Sequence, residues 1–127
     1  MNCIFCKIIN NEIPSYTIYE DEIVKVFLDA NPVSNGHSLI IPKKHFTDLT
    51  EMDLDTLKHI QKVAQNLFPK YKEKLNCDGL TLVQNNEYGQ AVKHYHLHIV
   101  PRYENDGIDL VSSLEKKDPK EIYEVLK

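Results

Sequence analysis

Residues His94–Val100 read His-Tyr-His-Leu-His-Ile-Val and hold three of the chain's 6 histidines, two positions apart. Tyr95, Leu97 and Ile99 fill the gaps. This alternation has the period of a β-strand with one buried face, and alternate side chains on such a strand stand about 6.5–7 Å apart. The histidines therefore form a row on one side. An ordinary half-exposed strand with titrating side chains is the plain alternative. Three imidazoles in register point past it, to metal ligation or to acid–base and nucleophilic chemistry near neutral pH. If Tyr95, Leu97 and Ile99 pack under a helix, the row faces the other way, towards solvent or a ligand.

The rest of the chain supplies the partners. Cys3–Ile9 is apolar and short, enough for one helical turn. Tyr16–Tyr19 and Ile23–Leu28 read as a hairpin about Asp21-Glu22, and Ser38–Ile41 as a third strand stopped by Pro42. Between them Asn31, Pro32, Ser34, Asn35 and Gly36 carry loop chemistry. From Asp53 to Leu75 the period changes: Leu54, Leu57, Ile60, Val63, Ala64, Leu67, Phe68 and Tyr71 follow helical spacing. His59 falls beside Lys58 on the polar side of this helix and is expected in solvent. Pro69 is expected to kink the helix or loosen its end. Leu80–Val83 reads as a fourth strand, and Asp118-Pro119-Lys120-Glu121 starts a short helix to about Leu126. Strands outnumber helices and connections are short. The expected class is α+β, one antiparallel sheet with helices on one face.

At 127 residues the chain suits one domain, with its core at about 3–102 and an extension over 103–127. Hydrophobic residues at 42% and charged residues at 27% fit a globular protein rather than a disordered one. The net charge of −4 provides no overall field for nucleic acid or an anionic membrane. No apolar run approaches the ~18 residues of a membrane span. Nor does the N-terminus read as a secretory signal, so the expected location is cytoplasmic.

Cys3 and Cys6 form a C-x-x-C pair, which fits metal ligation or a redox site. Cys77 reads as a structural thiol. If the third strand neighbours the histidine strand, His37 reaches one end of the row and His45 the other. Cys3, Cys6, His45 and His94 could then form a tetrahedral Cys2His2 zinc site, although the spacing is not that of a zinc finger.

The stretch His94–Val100 also resembles the signature of the histidine triad (HIT) family. Ile4–Ile9, Glu12-Ile13-Pro14, Gly36–His45 and Gly89-Gln90 extend the likeness, in consistent order, to the Hint-like branch. The resemblance implies a sheet of about five antiparallel strands, one long helix, a homodimer, and a purine nucleotide bound over the histidine face. It implies that His96 is the nucleophile at the α-phosphorus, with release of nucleoside monophosphate by water in a second step. His98, His37 and Gln90 match the phosphate-side positions, and Ala91 stands where Hint-like members often carry Ser. Ile4, Phe5, Ile8 and Phe27 match the purine pocket, for which ordinary core is the competing reading. Asp29 matches the ribose position; a loop-start cap competes. Asn31, Asn85 and Asn86 offer further polar contacts or simply form turns. The likeness to bacterial-type members implies structural zinc on Cys3, Cys6, His45 and His94, with no coordination position open for water.

The implied activity is hydrolysis of a purine nucleoside phosphoramidate or a related nucleotide. Three alternatives accompany it: a dinucleoside polyphosphate hydrolase, a nucleotide- or partner-binding module with little turnover, and a zinc-dependent structural or redox protein.

Overall fold

A computed structural model describes residues 2–109 and 114–127; positions 110–113 of the expected C-terminal extension lie outside the described residues. In chain order the elements are α1 (Ile4–Ile9), β1 (Thr17–Glu20), β2 (Val24–Leu28), β3 (Ser38–Pro42), a 3-10 turn (Leu49–Glu51), α2 (Leu54–Leu75), β4 (Gly79–Gln84), β5 (Leu97–Arg102) and α3 (Pro119–Leu126). The strands form one antiparallel sheet in the order β1-β2-β3-β5-β4. The expected α+β class and five-stranded sheet are what the chain forms.

One face of the sheet presents Val24, Val26, Ile40, Leu97 and Ile99 to Ile60, Val63, Ala64, Leu67 and Tyr71 of α2. Asp53 caps α2 by accepting from the Thr56 N–H at 2.9 Å, and Asn76 ends it at a left-handed φ of 54°. The helix runs on past Pro69 to Leu75. Tyr71 and Ser38 lock α2 to β3 through a buried hydroxyl pair at 2.6 Å, with Ser38 Oγ donating onward to the Gly36 carbonyl at 2.7 Å. Gly36 takes φ +94°, and a Cβ there would lie 2.4 Å from Leu75 Cδ1. Glycine is therefore required where the chain enters the third strand beside His37.

The expectation that helices share one face is corrected. Phe5 and Ile8 of α1 pack with Phe27, Leu39 and Ile41, whose side chains alternate with those facing α2. α1 thus covers the opposite face. Lys25 belongs to that second layer although it is only 2% exposed. Its Nζ donates to the Ile8 carbonyl at 3.0 Å and to Asn11 Oδ1 at 3.4 Å, closing the C-terminal end of α1. Lys25→Met would remove this donor and leave the Ile8 carbonyl only the Asn11 N–H at 3.1 Å, and a loss of about 1 kcal/mol in urea unfolding is expected.

Two further expectations change. The histidine strand is shorter than its alternation suggests: β5 starts at Leu97, so His94, Tyr95 and His96 precede the ladder. There the Tyr95 N–H bonds the Phe46 carbonyl at 2.7 Å, and the His94 carbonyl takes a side-chain partner instead of a strand. His59 is not simply solvated. It meets Asp21 Oδ2 at 2.6 Å, where Tyr19 Oη and the Ile23 and Val24 N–H groups also converge. Burial alone would raise the Asp21 carboxyl; the bonds from Val24, His59, Tyr19 and Ile23 outweigh it and hold it at about 2. This cluster pins the β1–β2 turn to α2. At the other end of the chain, α3 leaves Ile122, Tyr123, Val125 and Leu126 exposed.

Candidate active site and metal centre

β3 and β5 pair with Leu39 opposite His98, and partners in register share a face. His98 and the residue just before β3, His37, therefore emerge on the α1 side of the sheet. Tyr95, Leu97 and Ile99 lie in the α2-side core, as the alternation requires. The row faces away from the long helix.

Hydrogen-bond polarity fixes the ring tautomers when the rings are neutral. His96 Nδ1 lies 2.8 Å from the His94 carbonyl, which can only accept, so Nδ1 carries the proton and Nε2 keeps its lone pair. The Val33 N–H donates to His37 Nδ1 at 3.1 Å, which places the His37 proton on Nε2. That nitrogen donates to His98 Nδ1 at 2.9 Å, leaving His98 with its hydrogen on Nε2. One ring is thus a base at Nε2 and its neighbour a donor at Nε2. The two ring centroids are 4.9 Å apart. Asp29 Oδ2 lies 3.5 Å from His37 Nε2, and Asp29 Oδ1 accepts from the Asn31 N–H at 2.8 Å.

Burial keeps these rings neutral. It lowers His37, with Asp29 partly offsetting it, and His96, where the His94 carbonyl and then Asp29 oppose it. His98 is pushed down to about 4 by burial first, then by His96 and His37. A depressed folded-state value means that the unfolded chain takes up the proton first. The stability His98 contributes is therefore full above pH ~6.5 and is lost as pH falls towards 4. Unfolding between those pH values should show a loss on the order of 2 kcal/mol that His98→Asn reduces.

A second group converges beside the first. Cys3 Sγ is 3.3 Å and Cys6 Sγ 3.6 Å from His94 Nδ1, Cys6 Sγ is 3.4 Å from His45 Nδ1, and the two Nδ1 atoms are 3.1 Å apart. A tetrahedral zinc ion with these donors would set them about 3.3–3.8 Å apart. His94 Nε2 is 2.8 Å from the Pro42 carbonyl, so its proton sits there and Nδ1 turns a lone pair to the cluster. Burial, then Cys3, raises the Cys6 thiol to about 11, a charge problem that a dication at this point would remove. The donor set and spacing fit zinc. Asp29, His37 and His98 also bring ligand atoms together. The Val33 N–H needs the lone pair of His37 Nδ1, so Nε2 keeps its hydrogen and cannot ligate. That second cluster is not suited to a metal.

Residues 10–105 match the HIT domain. The chain belongs to the HIT family. An uncharacterized HIT-like protein of Methanocaldococcus jannaschii is 50% identical over 107 residues, 83% of this chain and 82% of that protein. The adenylylsulfatase HINT3 of Arabidopsis thaliana is 37% identical over 117 residues, which are 91% of this chain and 59% of the plant protein. A Zn-bound histidine triad protein of Mycobacterium smegmatis superposes with a TM-score of 0.81 at 36% identity, over 94% of this chain and 84% of that one.

Against the family resemblance, the phosphate-side and apolar positions divide. His37, His96, His98 and Asp29 stand together. Gln90 is 4% exposed and anchored on loops: Nε2 donates one hydrogen to the Thr47 carbonyl at 2.6 Å and Oε1 accepts from the Glu87 N–H at 3.2 Å. Phe5, Ile8 and Phe27 are buried in the α1-side core, whereas Ile4 is 46% exposed. Phe5 stands edge-on to His96 and to His94, at 5.0 and 5.9 Å between centroids. The Asn31 N–H donates to Asp29, and Asn86 Oδ1 ties its loop to the 3-10 turn by accepting from the Leu49 N–H at 2.8 Å. What the sequence could not supply are the backbone groups that set each tautomer: Val33 N–H, Pro42 C=O and His94 C=O. A peptide group leaves no mark in residue type.

Among the described residues no helix is long and apolar enough to cross a membrane.

Proposed function

We propose that this HIT-family protein is a nucleotide-binding hydrolase that acts at the α-phosphate of purine nucleoside phosphoramidates or related nucleotides. The observation that carries the reading is the pair of fixed tautomers, a bare Nε2 on His96 beside a hydrogen-bearing Nε2 on His98. A neutral imidazole whose other nitrogen is held as a donor is a competent nucleophile for phosphorus. In the first step His96 Nε2 bonds to the α-phosphorus and the bond to the amine or other leaving group breaks, the departing amine taking a proton. In the second, water attacks the same phosphorus and gives up a proton to solvent, replacing the one the amine took, the phosphorus–imidazole bond breaks, and the monophosphate leaves. His98 Nε2–H donates to a non-bridging oxygen in both steps, and His37 holds His98 in the donor form. Asp29 accepts from the ribose hydroxyls, and exposed Ile4 with the edges of Phe5 and Phe27 meets the base.

The plant relative, an adenylylsulfatase, supports chemistry of this class and favours an anionic leaving group as a second arm. Hydrolysis rates for adenosine phosphoramidate, guanosine phosphoramidate, adenylyl sulfate and a diadenosine polyphosphate decide the substrate class. Fastest cleavage of the phosphoramidates is expected. Tight nucleotide binding with cleavage of none would instead make the protein a binding module.

Zinc belongs to the same proposal, held by Cys3, Cys6, His45 and His94 as a structural ion. Its support is the donor geometry and the Zn-bound mycobacterial neighbour. The active form is a homodimer. β4 is an edge strand without charge or proline, with Leu82 and Val83 part exposed, a surface that pairs unless it is guarded. Sedimentation of the wild-type chain should give twice the monomer mass, and Val83→Lys should shift it towards monomer. An unshifted monomer in the wild type contradicts the dimer. The cytoplasm is the expected location.

A further inference from the structure

His94 belongs to both centres. Its ring turns Nδ1 to the two cysteines and His45, while its carbonyl accepts from His96 Nδ1 at 2.8 Å and so sets which His96 nitrogen is bare. The segment between them lies before the first ladder residue of β5. The His94 ring is held at Nε2 by the Pro42 carbonyl at 2.8 Å and at Nδ1 by the cluster, and the Nδ1 hold is the one that joins the metal centre to the carbonyl orienting His96.

The other end of the link opens to solvent. Cys3 is buried, but Cys6 is part exposed and lines, with His45, Lys7 and Lys43, an open cavity of about 530 Å³. A small oxidant reaches the Cys6 sulfur there without unfolding. The two sulfurs lie within 4.8 Å of one another. Cys3 is folded back on the first turn of α1, accepting from the Cys6 N–H at 3.2 Å. Cys77, by contrast, is buried in the α2-side core.

We propose that Cys3 and Cys6 are an oxidation site, at which a peroxide forms a disulfide, expels the zinc ion and thereby disables His96. The proposal rests on the zinc reading above. The Cys6 thiolate attacks one peroxide oxygen, the O–O bond breaks, and a sulfenic acid and hydroxide result. Cys3 thiolate then attacks the Cys6 sulfur and expels the second hydroxide. Two thiolates give up two electrons to one hydrogen peroxide, yielding a disulfide and two hydroxides. The zinc ion leaves because its two anionic ligands are gone. A dithiol and fresh zinc reverse the change.

The test uses the full-length, zinc-loaded protein with stepwise hydrogen peroxide. Zinc release is read with a chromogenic chelator, thiols by titration, the disulfide by peptide mapping, and the His96 ring nitrogens by ¹⁵N NMR. Phosphoramidate turnover is followed in parallel. One zinc ion should leave for every two thiols lost, the disulfide joining Cys3 to Cys6. His96 should pass from one fixed tautomer to an exchanging mixture. The kcat should fall about tenfold or more while KM changes by less than about threefold, the split expected of a positioning effect. Dithiothreitol plus zinc should restore all four readings.

Release of zinc with His96 shifts and kcat unchanged would overturn the link between the centres. Retention of zinc under a peroxide excess that oxidises a free dithiol peptide would overturn the oxidation site. Failure of the reconstituted chain to take up zinc overturns the proposal and the zinc reading together, and leaves the hydrolase reading standing. If the reduced, loaded chain cleaves no substrate, the hydrolase reading alone fails, and the NMR and zinc readings still decide the proposal.

Discussion

His96→Asn is expected to lower kcat for adenosine phosphoramidate hydrolysis by roughly 10⁴–10⁶-fold, the range seen when a nucleophile is removed from a working unit. Asparagine suits the test because its side-chain amide can still donate to the His94 carbonyl. The loop before β5 then keeps its anchor and only the lone pair on Nε2 is lost. Nucleotide affinity should hold within a few fold by calorimetry. Changes at the supporting rings should cost less. His98→Asn removes one donor to the developing charge and is expected to cost roughly 10²–10³-fold. His37→Gln should fall below that, since His37 acts through His98. Equal losses at all three positions would mean that they serve folding rather than chemistry, and urea unfolding of each variant separates those cases.

The second large effect belongs to the cysteines. Wild-type protein is expected to hold one zinc ion per chain by metal analysis, and Cys3→Ser to hold none. Because the ion binds only the folded chain, its stabilisation grows with concentration, to about 4 kcal/mol when free zinc exceeds Kd a thousandfold. Cys3→Ser and chelator-treated wild type should therefore unfold at the same lower urea concentration. Identical unfolding of the variant and untreated wild type, with no metal in either, would remove zinc from the description of this protein. The comparison isolates the metal well, because Cys3 also caps α1 and serine retains that capping function.

Much of this arrangement is legible in residue order because the hydrophobic periods are clean. Alternation at Tyr95, Leu97 and Ile99 placed the row opposite α2, and helical spacing from Leu54 to Tyr71 marked the helix that covers the other face. The neighbouring of β3 and β5 was only a condition in residue order; the sheet meets it and brings His37 to His98 and His45 to His94. The extent of the histidine strand did not follow. Alternation measures which side a residue faces and says nothing of whether its backbone has a ladder partner; at His94 and His96 the polar groups are used otherwise. The face that α1 covers does not follow from residue order either, for a similar reason. Six residues of helix carry too short a pattern to name the surface they cover, and the signal lay in Lys25, a buried cation that makes sense only against the end of a helix. At Gln90 the residue type suits a phosphate donor, and the fold anchors its amide on the Thr47 and Glu87 backbone while leaving Nε2 a second hydrogen.

On the proposed course the nucleotidyl group passes to His96 before water receives it. Each in-line displacement inverts the configuration at phosphorus, so two successive displacements restore it. Hydrolysis of an adenosine phosphoramidate made chiral at phosphorus by sulfur substitution, in ¹⁸O-labelled water, reads that course from the product monophosphorothioate. Overall retention is the expected result; overall inversion would mean that water attacks directly and that His96 is not the nucleophile.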